Sequence, residues 1–262
     1  MPTSDRDSDA LRTAAHPPDN AMALARLEDR LPPLLSIIAG MVDLTGFFTL
    51  GNIFTAHITG NLVVAAAAAV RGGPMNLAQV LAIPVFILAV AAVWMIARVS
   101  GQAAAGLTRL LLSIQLILLT AVLIFSVLTR PSANPHSVMA GIAVMIAVSA
   151  MACQYALLRL AIPGAISTAV MTGNLTNTVL SLMELSSNRQ RLMTAERDQL
   201  KRSVYLLLGF LFGCVVAAAA VTLVADWAWF FPVTLAAMAV AFATPWTTIG
   251  NIRRGLPGGS LN

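Results

Sequence analysis

Six runs of roughly twenty residues, almost free of charge, restrict this chain more than anything else in it. They lie at about 34–50, 77–97, 107–128, 138–158, 203–224 and 228–245. A helix rises about 1.5 Å per residue, so about 20 residues cross the roughly 30 Å of a bilayer's hydrocarbon core. A soluble surface is ruled out by charge, since only 10% of residues are Asp, Glu, Lys or Arg while 58% are apolar. Mean hydropathy is +0.82. In hydrocarbon every backbone N–H and C=O must be satisfied within the segment, so the runs are helices. The formal charge of +5 suggests no nucleic-acid partner, because all but one of the 16 basic residues are Arg, scattered at the ends of apolar runs. Such scatter reads as topology, with the lipid bilayer as the partner.

Two interruptions break this pattern. The polar knot Thr59-Gly60-Asn61-Leu62 precedes an apolar run that stops at Arg71-Gly72-Gly73-Pro74, and Thr172-Gly173-Asn174-Leu175 precedes another that stops near Glu184. Each short run reaches about half the length a membrane span requires. Each half of the chain then holds three full spans plus one half-length helix. Three is odd, so the second half enters the membrane upside down. The fold class is therefore an all-α integral membrane bundle of about six full spans plus two short half-helices, arranged as two inverted three-span repeats. The segments are a disordered cytoplasmic tail at 1–31, a first repeat at 32–130, a second at 131–250 and a tail at 251–262. Pro32-Pro33 opens the first span, since proline suits a helix's first turn.

Arginine placement orients the bundle. With re-entrant half-helices and the N-terminus inside, Arg26, Arg30, Arg98, Arg109, Arg159, the Arg189–Arg202 segment, Arg253 and Arg254 fall inside. Only Arg71 and Arg130 fall outside. If the half-helices crossed instead, Arg98, Arg109 and Arg159 would move outside while Arg71 and Arg130 moved in, a difference of one residue. The positive-inside rule favours six spans with both termini cytoplasmic. Trp94, Trp227, Trp229 and Trp246 mark span ends, and Gly209-xxx-Gly213 suits close helix packing.

Polar residues inside the runs are the candidate site. A half-helix beginning at a knot aims the positive end of its dipole inward, where a small polar or anionic solute fits. Thr59, Gly60, Asn61, Thr172, Gly173 and Asn174 are the expected binding residues: Thr to cap, Gly for close approach, Asn to donate and accept. Asp43 sits mid-span, where a carboxylate costs at least about 2.5–3.5 kcal/mol. With His57 it forms the candidate proton- or ion-coupling pair. Gln154 occupies the place of Asp43 in the second half and joins the binding set, while Val170 replaces His57. Gln115 and Glu184 are weaker candidates. Cys153 and Cys214 read as small packing residues. Neither ligand spacing nor a nucleophile motif occurs, so no catalytic residue, metal or cofactor is expected.

The sequence Ala39-Gly40-Met41-Val42-Asp43, with Phe47-Phe48 and the two Thr-Gly-Asn-Leu motifs, resembles the YoaK-like family of bacterial inner-membrane proteins, a family of unknown function. The likeness runs from about Leu34 to Pro245. It implies a multi-pass protein of about six spans in a bacterial plasma membrane, and no substrate. Three functions compete. A secondary transporter or channel for a small polar or anionic solute fits the interrupted inverted halves. A structural or partner subunit, able to form oligomers, would dock through the Arg189–Arg202 segment. A membrane enzyme or lipid-handling protein would use Asp43 and His57.

Overall fold

The computed structural model describes residues 19–72, 76–162, 164–169, 171–186 and 194–252. Within them the chain forms eight α-helices and two short 3-10 turns, and no strand occurs among the described residues. The helices are α1 (Asp19–Thr49), α2 (Ile58–Val70), α3 (Leu77–Ser100), α4 (Ala104–Thr129), α5 (Val138–Leu160), α6 (Met171–Ser186), α7 (Thr194–Val224) and α8 (Phe230–Ile252). The apolar stretch from Arg197 to Thr244 is 48 residues, twice what one span needs, and the turn Ala225–Trp229 divides it between α7 and α8. Six helices are thus long and apolar enough to cross a bilayer, and the chain is a membrane-embedded helical bundle.

The first helix starts earlier than its proline pair suggests. It begins at Asp19 and passes through Pro32 and Pro33. Each proline removes one intrahelical hydrogen bond, but tertiary contacts hold the helix on both sides of the pair. Asp29 pairs with Arg202 at 2.7 Å, and Leu31 and Leu35 are fully buried.

Side-chain bonds sort the helix ends into two groups. At one end, Trp229 Nε1 donates to Thr49 Oγ1 at 3.3 Å, and the Ser132 hydroxyl donates to Asp226 at 2.6 Å. Gly51 lies there too, so close to the Pro135 carbonyl and the Asn76 side chain that no Cβ would fit. At the other end, Arg202 meets Asp29, the Ser36 hydroxyl donates to the Leu206 carbonyl at 2.6 Å, and Cys153 Sγ donates to the Leu111 carbonyl at 3.2 Å. Helices α1, α4 and α7 therefore run toward the Trp229 end, and α3, α5 and α8 run back. Helix α2 links the end of α1 to the start of α3, and both lie at the Trp229 end. It is re-entrant. Helix α6 does the same between α5 and α7 at the Asp29 end.

The inner pair is α1 and α5, with 67% and 72% of their most apolar windows buried, against 11% for α3. The seam between α1 and α7 is the closest in the bundle. A Cβ on Gly40 would strike the Phe210 carbonyl, and one on Gly213 the Ile37 carbonyl. Glycine lets these two backbones touch, as the Gly209-xxx-Gly213 spacing suggests. The tryptophans divide. Trp94 stacks under Arg98 at 4.9 Å and Trp227 is exposed, but Trp229 is fully buried and bonded to α1, so it packs the interior. Cys153 and Cys214 sit between helices, as small packers do.

Candidate functional site: two re-entrant turns

Each re-entrant segment begins with a turn folded back into the bundle. After α1, Gly51 (φ +86°) and Asn52 (φ +58°) reverse the chain in the left-handed region, which glycine adopts freely and asparagine tolerates. Residues 53–57 then descend beside α1. Room for them comes from glycine: the Thr55 methyl lies against Gly46, and the Phe54 ring lies over Gly60.

Asp43 holds this turn. Its Oδ1 accepts the Thr55 and Ala56 amides, each at 2.8 Å, and approaches the His57 amide at 3.4 Å. Its Oδ2 lies 2.7 Å from His57 Nδ1. A buried carboxylate with several hydrogen-bond donors is no longer an orphan charge. The His57 side chain remains 33% exposed. Its ring packs edge-on to Phe210 on α7, and with Nδ1 turned to Asp43, Nε2 is the ring's other polar atom. The sequence pairing of Asp43 with His57 is thus a direct contact.

Asn61 locks the same turn from the helix side. Its Oδ1 accepts the Phe54 amide at 2.8 Å, and its Nδ2 donates to the Phe54 carbonyl at 2.7 Å. In the second half Asn174 Nδ2 donates to the Ser167 carbonyl at 3.0 Å, again seven residues back. Both asparagines are buried. The threonines do not cap. Helix α2 starts at Ile58 with His57 as its N-cap and no side-chain cap bond, so Thr59 is the second helical residue. Thr172 is likewise second in α6. Both are exposed, and Gly60 and Gly173 are half-buried. Asparagine does the anchoring expected of threonine, because its two-headed amide can reach a backbone group seven residues away.

Gln154 stands where the charge difference between the halves leads one to look. Its Nε2 donates to the Leu35 carbonyl at 2.9 Å and lies 3.4 Å from Thr168 Oγ1, while its Oε1 accepts from Gln115 Nε2 at 2.7 Å. Asp43 thus serves Thr55 and Gln154 serves Thr168, both threonines fully buried. Val170 lies outside the described residues. Glu184 is exposed on α6.

Tyr155 is the residue that sequence reasoning missed. Its hydroxyl donates to the Ala56 carbonyl at 3.0 Å, so α5 of the second half grips the turn of the first. Its signal was the adjacent pair Gln154-Tyr155 inside an otherwise apolar run. The two turns also sit close to the bundle's centre. The spanning part of α1 is Asp29–Thr49, whose middle residue is Ala39. Asp43, which bonds the first turn directly, and Leu35, which reaches the second only through Gln154, lie four residues to either side, about 12 Å apart along the helix.

Among the described residues, no cluster of three or more His, Cys, Asp or Glu side chains could hold a metal ion. No curated protein and no solved structure matches the chain. A sequence profile of the family described as "Protein of unknown function (DUF1275)" matches residues 31–242.

Proposed function

The chain belongs to the DUF1275 family of proteins of unknown function, and on that premise we propose that it is a secondary carrier or channel for a small polar or anionic solute. The observation that carries the reading is the matched pair of turns. Asn61 and Asn174 each bond seven residues back, and Asp43 and Gln154 each hold the threonine of their own turn. Helix neighbours match as well: α1 lies against α7 as α5 lies against α3, α2 against α3 as α6 against α7, and α8 against α1 as α4 against α5. An inverted repeat with a broken element in each half supports transport at the repeat interface.

In this reading the amide side chains build the turns and do not meet the solute. Solute contact comes from first-turn N–H groups other than that of Gly60, which donates to the His57 carbonyl at 2.9 Å, and from His57 Nε2. Asp43 orients that ring and makes the site titratable in one half only. Among the described residues Arg30, Arg98, Arg109, Arg159, Arg197, Lys201 and Arg202 belong to the Asp29 end, and Arg71 and Arg130 to the Trp229 end. By the positive-inside rule the Asp29 end is cytoplasmic in a bacterial plasma membrane.

The test is flux in proteoliposomes across a panel of small anions and neutral polar solutes. Transport of at least one is expected, with His57→Gln lowering it at least about tenfold while Glu184→Gln leaves it unchanged. If no member of the panel crosses, or if His57→Gln carries solute at the wild-type rate, the reading fails.

A further inference from the structure

The two parallel helix pairs of the bundle differ in how they close. Helices α1 and α7 are sewn together where they start, by the Arg202–Asp29 ion pair, the Ser36–Leu206 hydrogen bond and the Gly209 approach to the Pro33 carbonyl. Helices α3 and α5 also start side by side, at the Trp229 end, in ordinary van der Waals contact. Between them is a groove of about 470 Å³. Gly141 lines it, and a Cβ added there would meet only the Ala78 methyl, at 3.8 Å.

The groove has two chemistries, in order of depth. Asn76, His136 and Ser137 form its rim, and Leu81, Gly141 and Met145 line it further along the helices. Leu81 and Ile142 are exposed along it, so it opens sideways from the bundle, on the face a bilayer would cover. The rim also lies at a definite level. Exposed Trp227 adjoins Asp226, which is bonded to Ser132 three residues before Pro135, and an exposed tryptophan at a span end belongs at the headgroup boundary. His136 stands beside that boundary and is itself exposed. A molecule matching this order has a polar, anionic head at the membrane surface and a hydrocarbon chain running inward.

We propose that the groove between the starts of α3 and α5 is a phospholipid site, with the phosphate at His136 and Asn76 and one acyl chain along Leu81, Gly141 and Met145. The Asn76 and Ser137 oxygens cap their own helices, so the rim offers a head group the Asn76 Nδ2 and the His136 ring, above an apolar trough that a free anion would not need. Only an amphiphile uses both. Buried methylenes add to binding in proportion to the chain length covered, and imidazole and amide N–H groups suit a phosphate.

Native mass spectrometry of the full chain tests this after reconstitution into vesicles doped with either phosphatidylglycerol or diacylglycerol of the same chains. One retained phosphatidylglycerol per chain is expected, with diacylglycerol retained at least about tenfold less. Gly141→Phe fills the trough and is expected to abolish retention; Leu81→Trp fills it from the facing helix and should do the same. His136→Ala is expected to narrow the preference for phosphatidylglycerol several-fold. Equal retention of the two lipids, retention unchanged in either filled variant, or a lipid-free dimer joined through this face would overturn the proposal.

Discussion

Asp43 is a carboxylate that organises a loop, and its variants should separate charge from geometry. Asp43→Ala removes the acceptor for two buried amides and for His57, which should cost about 3–5 kcal/mol. Asp43→Asn keeps an acceptor oxygen and should cost clearly less, both read as thermal denaturation in detergent. Asn61 makes two hydrogen bonds to Phe54 where Asn174 makes one to Ser167. Asn61→Leu should therefore destabilise by about twice as much as Asn174→Leu, on the order of 2–4 against 1–2 kcal/mol. Equal losses would mean that the turns are held by something else. Asp43, His57 and the asparagines were legible because a polar group within an apolar run needs a partner. Tyr155 was not, because an aromatic ring in such a run looks like a packing residue until its hydroxyl is located.

At the level of elements, the short length of the interrupted runs carried most of the information. Helix α2 has 13 residues and α6 has 16, too few to cross, and the bundle returns each to the end it came from. Two features were hidden. The Pro32-Pro33 pair looks like a helix start because local chemistry says nothing of Arg202, which lies far away in sequence and holds the turn before it. Likewise Trp229 looks like an interfacial anchor until Thr49 is seen beside its indole. The seam between α1 and α7 gives the sharpest test at this scale. Gly40→Ala or Gly213→Ala drives a methyl into a carbonyl of the facing helix and should cost about 1–3 kcal/mol. Gly141→Ala, with only ordinary contact ahead of it, should stay within about 0.5 kcal/mol. A uniform response across the three would show that the seam is not sterically tight.

For the molecule as a whole, the prediction concerns sides. In a background with Cys153 and Cys214 replaced, single cysteines at Arg71 and Arg130 should react with an impermeant thiol reagent from one side of sealed vesicles. Cysteines at Arg98 and Arg159 should react only from the other. If Arg71 and Arg98 label from the same side, the six-span arrangement is wrong. That the chain is a helical membrane bundle was legible from counting its apolar runs. Which helices form the tight seam was not, since that depends on contacts such as that of Ser36 with Leu206, 170 positions away.

The reach of these contacts also sets the order in which the protein can be made. Every partner of Asp43 on its turn follows within fourteen residues, so all of them are available soon after α1 leaves the ribosome. The seam is different. Ser36 waits for Leu206, 170 residues later, and Gly40 waits for Phe210. Throughout most of synthesis α1 therefore shows its glycine-lined face to lipid or to the insertion machinery. A chain stopped before α7 would hold a completed first turn on an uncovered helix, a marker by which quality control could tell an unfinished copy from a finished one.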